Sequence, residues 1–198
     1  MNTYEKQMYD FYTEPENFKT ALEVSNYLPA IRKQVLVEFW DEVKTAVSGL
    51  ITERIPNYMV KIDPADDIFY QFSQIGVFNP SIYPNQPGEV PFWACFQELS
   101  GRLYFGIWIE ANNQNWKIGE IKRKLSVLPF VQKFPSKNDW WVGIKSMDYL
   151  FSDLKTIEII LPVNRQGLVN EFSKLLVDLA VEIENGVDLE SLLRENQV

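Results

Sequence analysis

Histidine is missing altogether from this 198-residue sequence. Its absence removes every Ser-His-Asp and Cys-His triad, most zinc sites and the usual general base near neutral pH. Any catalysis would fall to carboxylates, Lys, Tyr or Cys. Cysteine occurs once, at Cys95, so no internal disulfide can form. Within an apolar strand pattern, Cys95 reads as a small buried residue. No apolar run approaches the roughly 20 residues that a membrane span requires. The N-terminal stretch MNTYEKQMYDFYTEPENF has neither the basic n-region nor the apolar h-region of a signal peptide. These absences lead us to expect a cytoplasmic protein with no membrane partner, no cofactor and no metal site.

What is present is globular. Hydrophobic residues make up 46% of the chain and aromatic residues 14%, whereas disorder goes with few aromatics and weak hydrophobicity. The length suits one domain with its own core. Nineteen Lys and Arg against 27 Asp and Glu leave a net charge of -8, which opposes general binding to nucleic acid. The charge is uneven. Between Ala111 and Met147 stand Lys117, Lys122, Arg123, Lys124, Lys133, Lys137 and Lys145, against only Glu120 and Asp139. This basic segment also holds Trp116, Phe130, Phe134, Trp140 and Trp141. Cations interleaved with rings suit phosphates and stacked bases, an acidic protein partner, or the acidic C-terminal part of a second copy. The same pattern also describes core rings with a solvated rim of lysines.

Periodicity outlines an α+β chain. Tyr4, Met8, Phe11 and Tyr12 share one side of a predicted helix over Thr3 to Tyr12, which TEPEN then breaks. Asn17 suits the cap of a second short helix ending at Tyr27. Pro29 suits the first turn of a longer one, whose inner stripe runs from Ile31 through Val35, Leu36, Phe39, Val43, Val47 and Leu50 to Ile51. Pro56 stops it. Strands are expected over Tyr58 to Ile62 and Ile68 to Phe78, around a DPADD turn. A Pro-rich loop and a hairpin over Pro91 to Glu110 come next. Further expectations are a helix around Lys117 to Leu125, a loop with Pro129 and Pro135, and strands WWVGIKSM and TIEIILPV. Asn164 is the expected cap of a helix to Glu184, with Leu168, Phe172, Leu175, Leu176, Leu179 and Ile183 inward. Asn185-Gly186 ends that helix, and Asp188 caps a last short one. The chain thus divides into a helical part (1–55), a part that is mainly sheet (56–163) and C-terminal helices (164–198). They form a single α+β domain, a mostly antiparallel sheet packed against long N-terminal and C-terminal amphipathic helices.

The hairpin PFWACFQELSGRLYFGIWIE carries bulky apolar residues on both faces. With Ser100-Gly101 as its turn, Phe96 falls opposite Phe105, Ala94 opposite Ile107 and Phe92 opposite Ile109. That face is core. The other face pairs Trp93 with Trp108, Cys95 with Gly106 and Gln97 with Tyr104. Two readings apply to it. Either the N-terminal helix or the Pro-rich loop covers it, or Trp93 and Trp108 form an exposed platform for a partner.

Motifs of known chemistry are scarce. No Walker A, dinucleotide fingerprint, nucleophile elbow or kinase signature occurs. Two Glu-x-Lys triplets, Glu42-Val43-Lys44 and Glu120-Ile121-Lys122, match the strand-borne metal and water residues of a nuclease. About one is expected by chance from this composition, and both fall in predicted helix. Asp63, Asp66 and Asp67 lack the spacing of a calcium loop and read as turn chemistry.

The stretch NFKTALEVSNYLPAIRKQVLVEFWDEVKTAV together with GRLYFGIWIE resembles the C-terminal region of some uncharacterised prokaryotic proteins grouped with the PD-(D/E)XK nuclease superfamily. The resemblance implies a bacterial or phage setting near defence systems. It does not imply nuclease activity, because that family's catalytic Asp and Glu-x-Lys lie on an upstream core without a counterpart here, and no catalytic residue is carried over. The expectation is a non-enzymatic binding or regulatory protein acting through a macromolecular partner, a protein in the first instance. Its candidate contacts are Trp116, Lys122, Arg123, Lys124, Trp140, Trp93 and Trp108. The alternatives are a degenerate metal-dependent nuclease and a nucleic-acid-binding accessory protein that uses the basic aromatic segment. A homo-oligomer is compatible with all three.

Overall fold

The computed structural model describes residues 2–63, 74–79, 92–99, 101–111, 114, 116–136, 138–151 and 153–196. The first helix, α1 (Thr3–Thr13), is started by a capping box in which Asn2 and Glu5 bond each other's backbone N–H at 2.8 Å. Glu14 breaks it with extended backbone, and Pro15 then opens α2 (Pro15–Arg54), a single helix of 40 residues. The two separate helices expected here are therefore one. Asn17 is not a cap; it lies inside α2 and its side-chain amide donates to the Phe11 carbonyl at 3.0 Å. Pro29 likewise sits inside the helix. An interior proline removes one backbone bond and crowds the carbonyl four residues earlier. Here that carbonyl belongs to Ser25, and both residues are exposed, so water can take the lost donor's place.

Five strands form one antiparallel sheet in the order β1 (Met59–Asp63), β2 (Gln74–Phe78), β3 (Phe92–Leu99), β4 (Arg102–Ile109) and β5 (Trp141–Leu150). The hairpin register is the expected one, with Phe96 opposite Phe105 and Trp93 opposite Trp108. Gly101 takes φ 80° at its turn, a conformation that glycine adopts without strain. Residues 64–73 and 80–91 lie outside the described residues, and with them the start of the expected second strand, most of DPADD and the Pro-rich loop.

After β4 come α3 (Ile118–Leu125) and a five-residue α4 (Pro129–Lys133) in place of the expected loop. Pro129 occupies its first turn, and the Glu182 carboxylate accepts from the Phe130 N–H at 2.7 Å. The stretch TIEIILPV is a second correction. It contains the end of α5 (Leu154–Ile159) and a turn, not a strand. Asp153 accepts from the Lys155 N–H at its start, and the buried pair Thr156 and Ile160 sits at helical spacing, while Leu154 and Val163 point to solvent. The last helices are α6 (Gln166–Gly186) and α7 (Leu189–Asn196). Arg165 is the N-cap of α6, not Asn164, whose side chain instead donates to the Glu158 carbonyl at 3.0 Å. Asp188 does bond the Ser191 N–H at the start of α7.

One sheet face packs on α6 and the C-terminal part of α2, and residues from Leu36 to Leu193 share a single main core. Phe172 stacks on Phe96 at 4.6 Å and also meets Phe39, Trp40 and Tyr149. Polar contacts lace the same two helices. Arg165, its side chain 8% exposed, bonds Glu38 and Glu42; Arg54 pairs with Asp178 at 2.6 Å, and the Tyr58 hydroxyl donates to Glu184 at 2.6 Å. The Glu42 hydrogen bond is the largest influence holding the Arg165 pKa above its usual value. Every buried residue of α2 lies at Leu36 or beyond. Ile31, expected on the inner stripe, is exposed.

Candidate partner-docking surfaces

The second sheet face builds an aromatic layer of its own. Strand alternation sends Trp93 and Cys95 to the side away from the helices, where they are buried with Trp141. Phe78, Tyr104, Trp108 and Ile144 pack around them. Trp93 lies 5.7 Å from Trp108, and Trp108 stacks on Trp140 at 6.1 Å with planes 24° apart. The Lys61 ammonium sits 4.8 Å above the Trp93 ring, within cation–π range. Exposure increases along this ladder, from 7% at Trp93 to 40% at Trp140. Trp93 is thus shielded within the chain, yet among the described residues its indole N–H has no acceptor. The N-terminal helix is not the cover, since α1 buries none of its residues.

Gly106 shapes this face. A Cβ there would collide with the Gly143 carbonyl oxygen, so only glycine lets β4 and β5 approach this closely. The register slips between Ile107 and Trp108, which brings Trp141 opposite Trp108.

The basic segment is divided. Trp116 packs against the main core on the helical side, whereas Trp140 belongs to the aromatic ladder. Lys122 joins the two regions, donating to the Asp139 carbonyl at 2.6 Å, and burial lowers its pKa. Lys124 turns to α7 and pairs with Glu195 at 2.7 Å, while Arg123 pairs with Glu120 at 2.8 Å on the same helix. All three cations have partners within the chain. Both Glu-x-Lys triplets lie on helices, where residues two apart project about 200° from each other. Glu42 is engaged by Arg165 and Glu120 by Arg123. Asp63 ends β1, while Asp66 and Asp67 are outside the described residues. Among the described residues no group of three or more acidic or Cys side chains is placed to hold a metal, and no helix is long and apolar enough to cross a membrane.

Among the described residues, ten of the eighteen exposed large apolar side chains lie in a region that was not among the expected sites. Between Tyr4 and Ile31, ten large apolar side chains are 41–68% exposed, Tyr4, Tyr9, Phe18, Leu22 and Tyr27 among them. They cover α1 and the first part of α2, an arm that continues the helix away from the core. An apolar groove of about 430 Å³ runs between the two helices, lined by Phe11, Tyr12, Ala21, Val24 and Leu28. A sequence signal existed. Phe18 and Leu22 prolong the stripe of Leu36, Trp40, Val43 and Val47 toward the N-terminus, but periodicity shows an apolar face without showing what covers it. In comparisons with known proteins, no family model, curated protein or solved structure matches this chain.

Proposed function

We propose that this is a non-enzymatic binding or regulatory protein of a prokaryote or phage, acting through a macromolecular partner that docks on the arm formed by α1 and the start of α2. The observation that carries this reading is the run of ten exposed large apolar side chains from Tyr4 to Ile31. They lie on both helices, and Phe11, Tyr12, Val24 and Leu28 among them share one apolar groove between α1 and α2, the kind of exposed apolar surface that marks an interaction site. Stability points the same way. The stretch from Pro15 to Ile31 buries no side chain, helical stability in proteins comes mostly from packing of an apolar face, and Pro29 weakens the helix further. A partner that buries the apolar face would supply the missing stabilisation.

The test is purification of the full chain from its native host beside a Phe18→Ser, Tyr27→Ser variant. The partner should be lost from the variant while its melting midpoint stays within about 0.5 kcal/mol equivalent of the parent, as for other surface changes. Full retention of the partner by the variant would refute docking on the arm.

A further inference from the structure

We infer that the partner of the arm is a basic amphipathic helix of another protein, laid with its apolar face in the groove between α1 and α2; this rests on the reading of the arm as a docking surface and names what docks there. The α2 wall of the groove is Asn17, Thr20, Ala21, Val24, Ser25 and Leu28, a spacing of i, i+3, i+4, i+7, i+8 and i+11 that keeps to one helix face over about 17 Å. Phe11 and Tyr12 of α1 form the other wall. The polar groups of this lining are engaged locally. Asn17 donates to the Phe11 carbonyl at 3.0 Å, Thr20 to the Glu16 carbonyl at 2.9 Å and Ser25 to the Leu22 carbonyl at 2.8 Å. An extended peptide brings unpaired backbone N–H and C=O groups, which an apolar wall without a sheet edge cannot pair. A helix satisfies its own backbone and offers only side chains, so it is the form of chain that this groove accepts.

Charge sets the sign of that helix. Residues 2–31 hold Glu5, Asp10, Glu14, Glu16 and Glu23 against Lys6 and Lys19, five acids against two bases and a net charge of -3. Position matters more than the sum. Side chains three or four residues apart are neighbours on a helix, and Glu16 and Glu23 stand four before and three after Thr20 of the lining. Glu14 lies in the turn between the two walls. Neither lysine has a lining residue three or four positions away on its own helix, and each projects about 170° from the centre of the groove face. Arg32 is a neighbour of Leu28, but its guanidinium donates to the Phe151 carbonyl and is thereby turned to the core side. Glu14, Glu16 and Glu23 are exposed, and among the described residues none of them takes part in an ion pair. The border of the groove is therefore acidic and uncompensated. Glu16 and Glu23 are about 10 Å apart along the helix, so they meet Lys or Arg side chains spaced two turns apart beside the apolar stripe of the occupant.

The experiment is fluorescence anisotropy at physiological salt, with the full chain and two labelled peptides of about 18 residues, long enough to form a helix on binding. One is built of leucine and lysine, the other of leucine and glutamate in the same amphipathic pattern. The Leu–Lys peptide should bind at least about tenfold more tightly than the Leu–Glu peptide. Val24→Ser with Leu28→Ser should weaken Leu–Lys binding about tenfold or more, and Glu16→Gln with Glu23→Gln should bring the two peptides to within about threefold. All four side chains are exposed and precede Leu36, the first buried residue of α2, so both variants should keep the fold of the parent by circular dichroism. Equal binding of the two peptides, or none, would overturn the inference. So would Leu–Lys binding unchanged by the serine pair, which would assign it to the overall charge of -8, or a charge preference unchanged by the glutamine pair. In each of these cases the docking surface itself is judged by the host partner. It stands if the Phe18→Ser, Tyr27→Ser variant loses that partner and falls if the variant retains it.

Discussion

Phe172 of α6 is the side chain on which three other elements converge. Its ring is fully buried and lies 4.6 Å from Phe96 of β3, 5.8 Å from both Phe39 and Trp40 of α2, and 5.3 Å from Tyr149 of β5. Phe172→Ala removes about 150 Å² of apolar surface, about 4 kcal/mol at 25 cal/mol per Å². The surrounding rings belong to three different elements and cannot all move into the gap. The expected loss therefore lies at the upper end of the roughly 3–5 kcal/mol seen for such truncations. Total stability for a domain is about 5–15 kcal/mol, so the variant should fold with a melting midpoint lowered by about 8–16 °C. Urea unfolding followed by circular dichroism measures this, with an unchanged slope showing that the denatured state is the same. Leu154→Ala, at a side chain 83% exposed, should stay within about 0.5 kcal/mol. A loss below about 1.5 kcal/mol at Phe172 would refute the packing of α6 on α2 and the sheet.

Two further outcomes follow from local geometry. Gly106→Ala drives a Cβ against the Gly143 carbonyl oxygen, a backbone atom of the neighbouring strand, and should cost about 3 kcal/mol in chemical denaturation. Gly119→Ala, in a helix with open space around it, should instead gain about 0.5–1 kcal/mol. At the junction of α3 and α7, the Lys124 hydrogen bond, followed by that from Ser191, holds the Glu195 carboxyl below the usual carboxylate range. A depressed folded-state pKa contributes stability above the ordinary value and loses it as the pH falls through the folded one. Lys124→Gln should therefore melt below the parent at neutral pH, with the two midpoints converging once Glu195 is protonated. A gap that persists in acid would assign the effect to packing.

Much of the fold was legible in short stretches. The hairpin register followed from alternation and from a turn at Gly101, both set within a few residues. The end of α6 at Gly186 and the start of α7 at Asp188 were equally local, whereas the start of α6 was misplaced by one residue, at Asn164 instead of Arg165. Among the candidate contacts, the pairing of Trp93 with Trp108 was readable because it is a consequence of register. The stacking of Trp140 on Trp108 was not, since it follows a register shift between β4 and β5 at Ile107 and Trp108 that alternation alone does not reveal.

The sequence by itself determined the period of the amphipathic helices and of the central hairpin, and the absence of imidazole chemistry. Tertiary structure decided the rest. The residues of TIEIILPV have strand propensity, yet Thr156 accepts from the Leu150 N–H at 3.2 Å and Ile160 reaches the core, which a helical turn satisfies. Pro29 is a strong local stop, yet α2 passes through it where its neighbours face solvent. Whether Phe18 and Phe39 are exposed or buried depends on contacts from more than a hundred residues away, such as those of Phe172 and Arg165 with the far half of α2. Dihedral preference and periodicity act over a few residues, whereas burial is a property of what the chain brings together at long range. That is why the apolar stripe of α2 was visible from the beginning, and why only the folded chain shows where its cover ends.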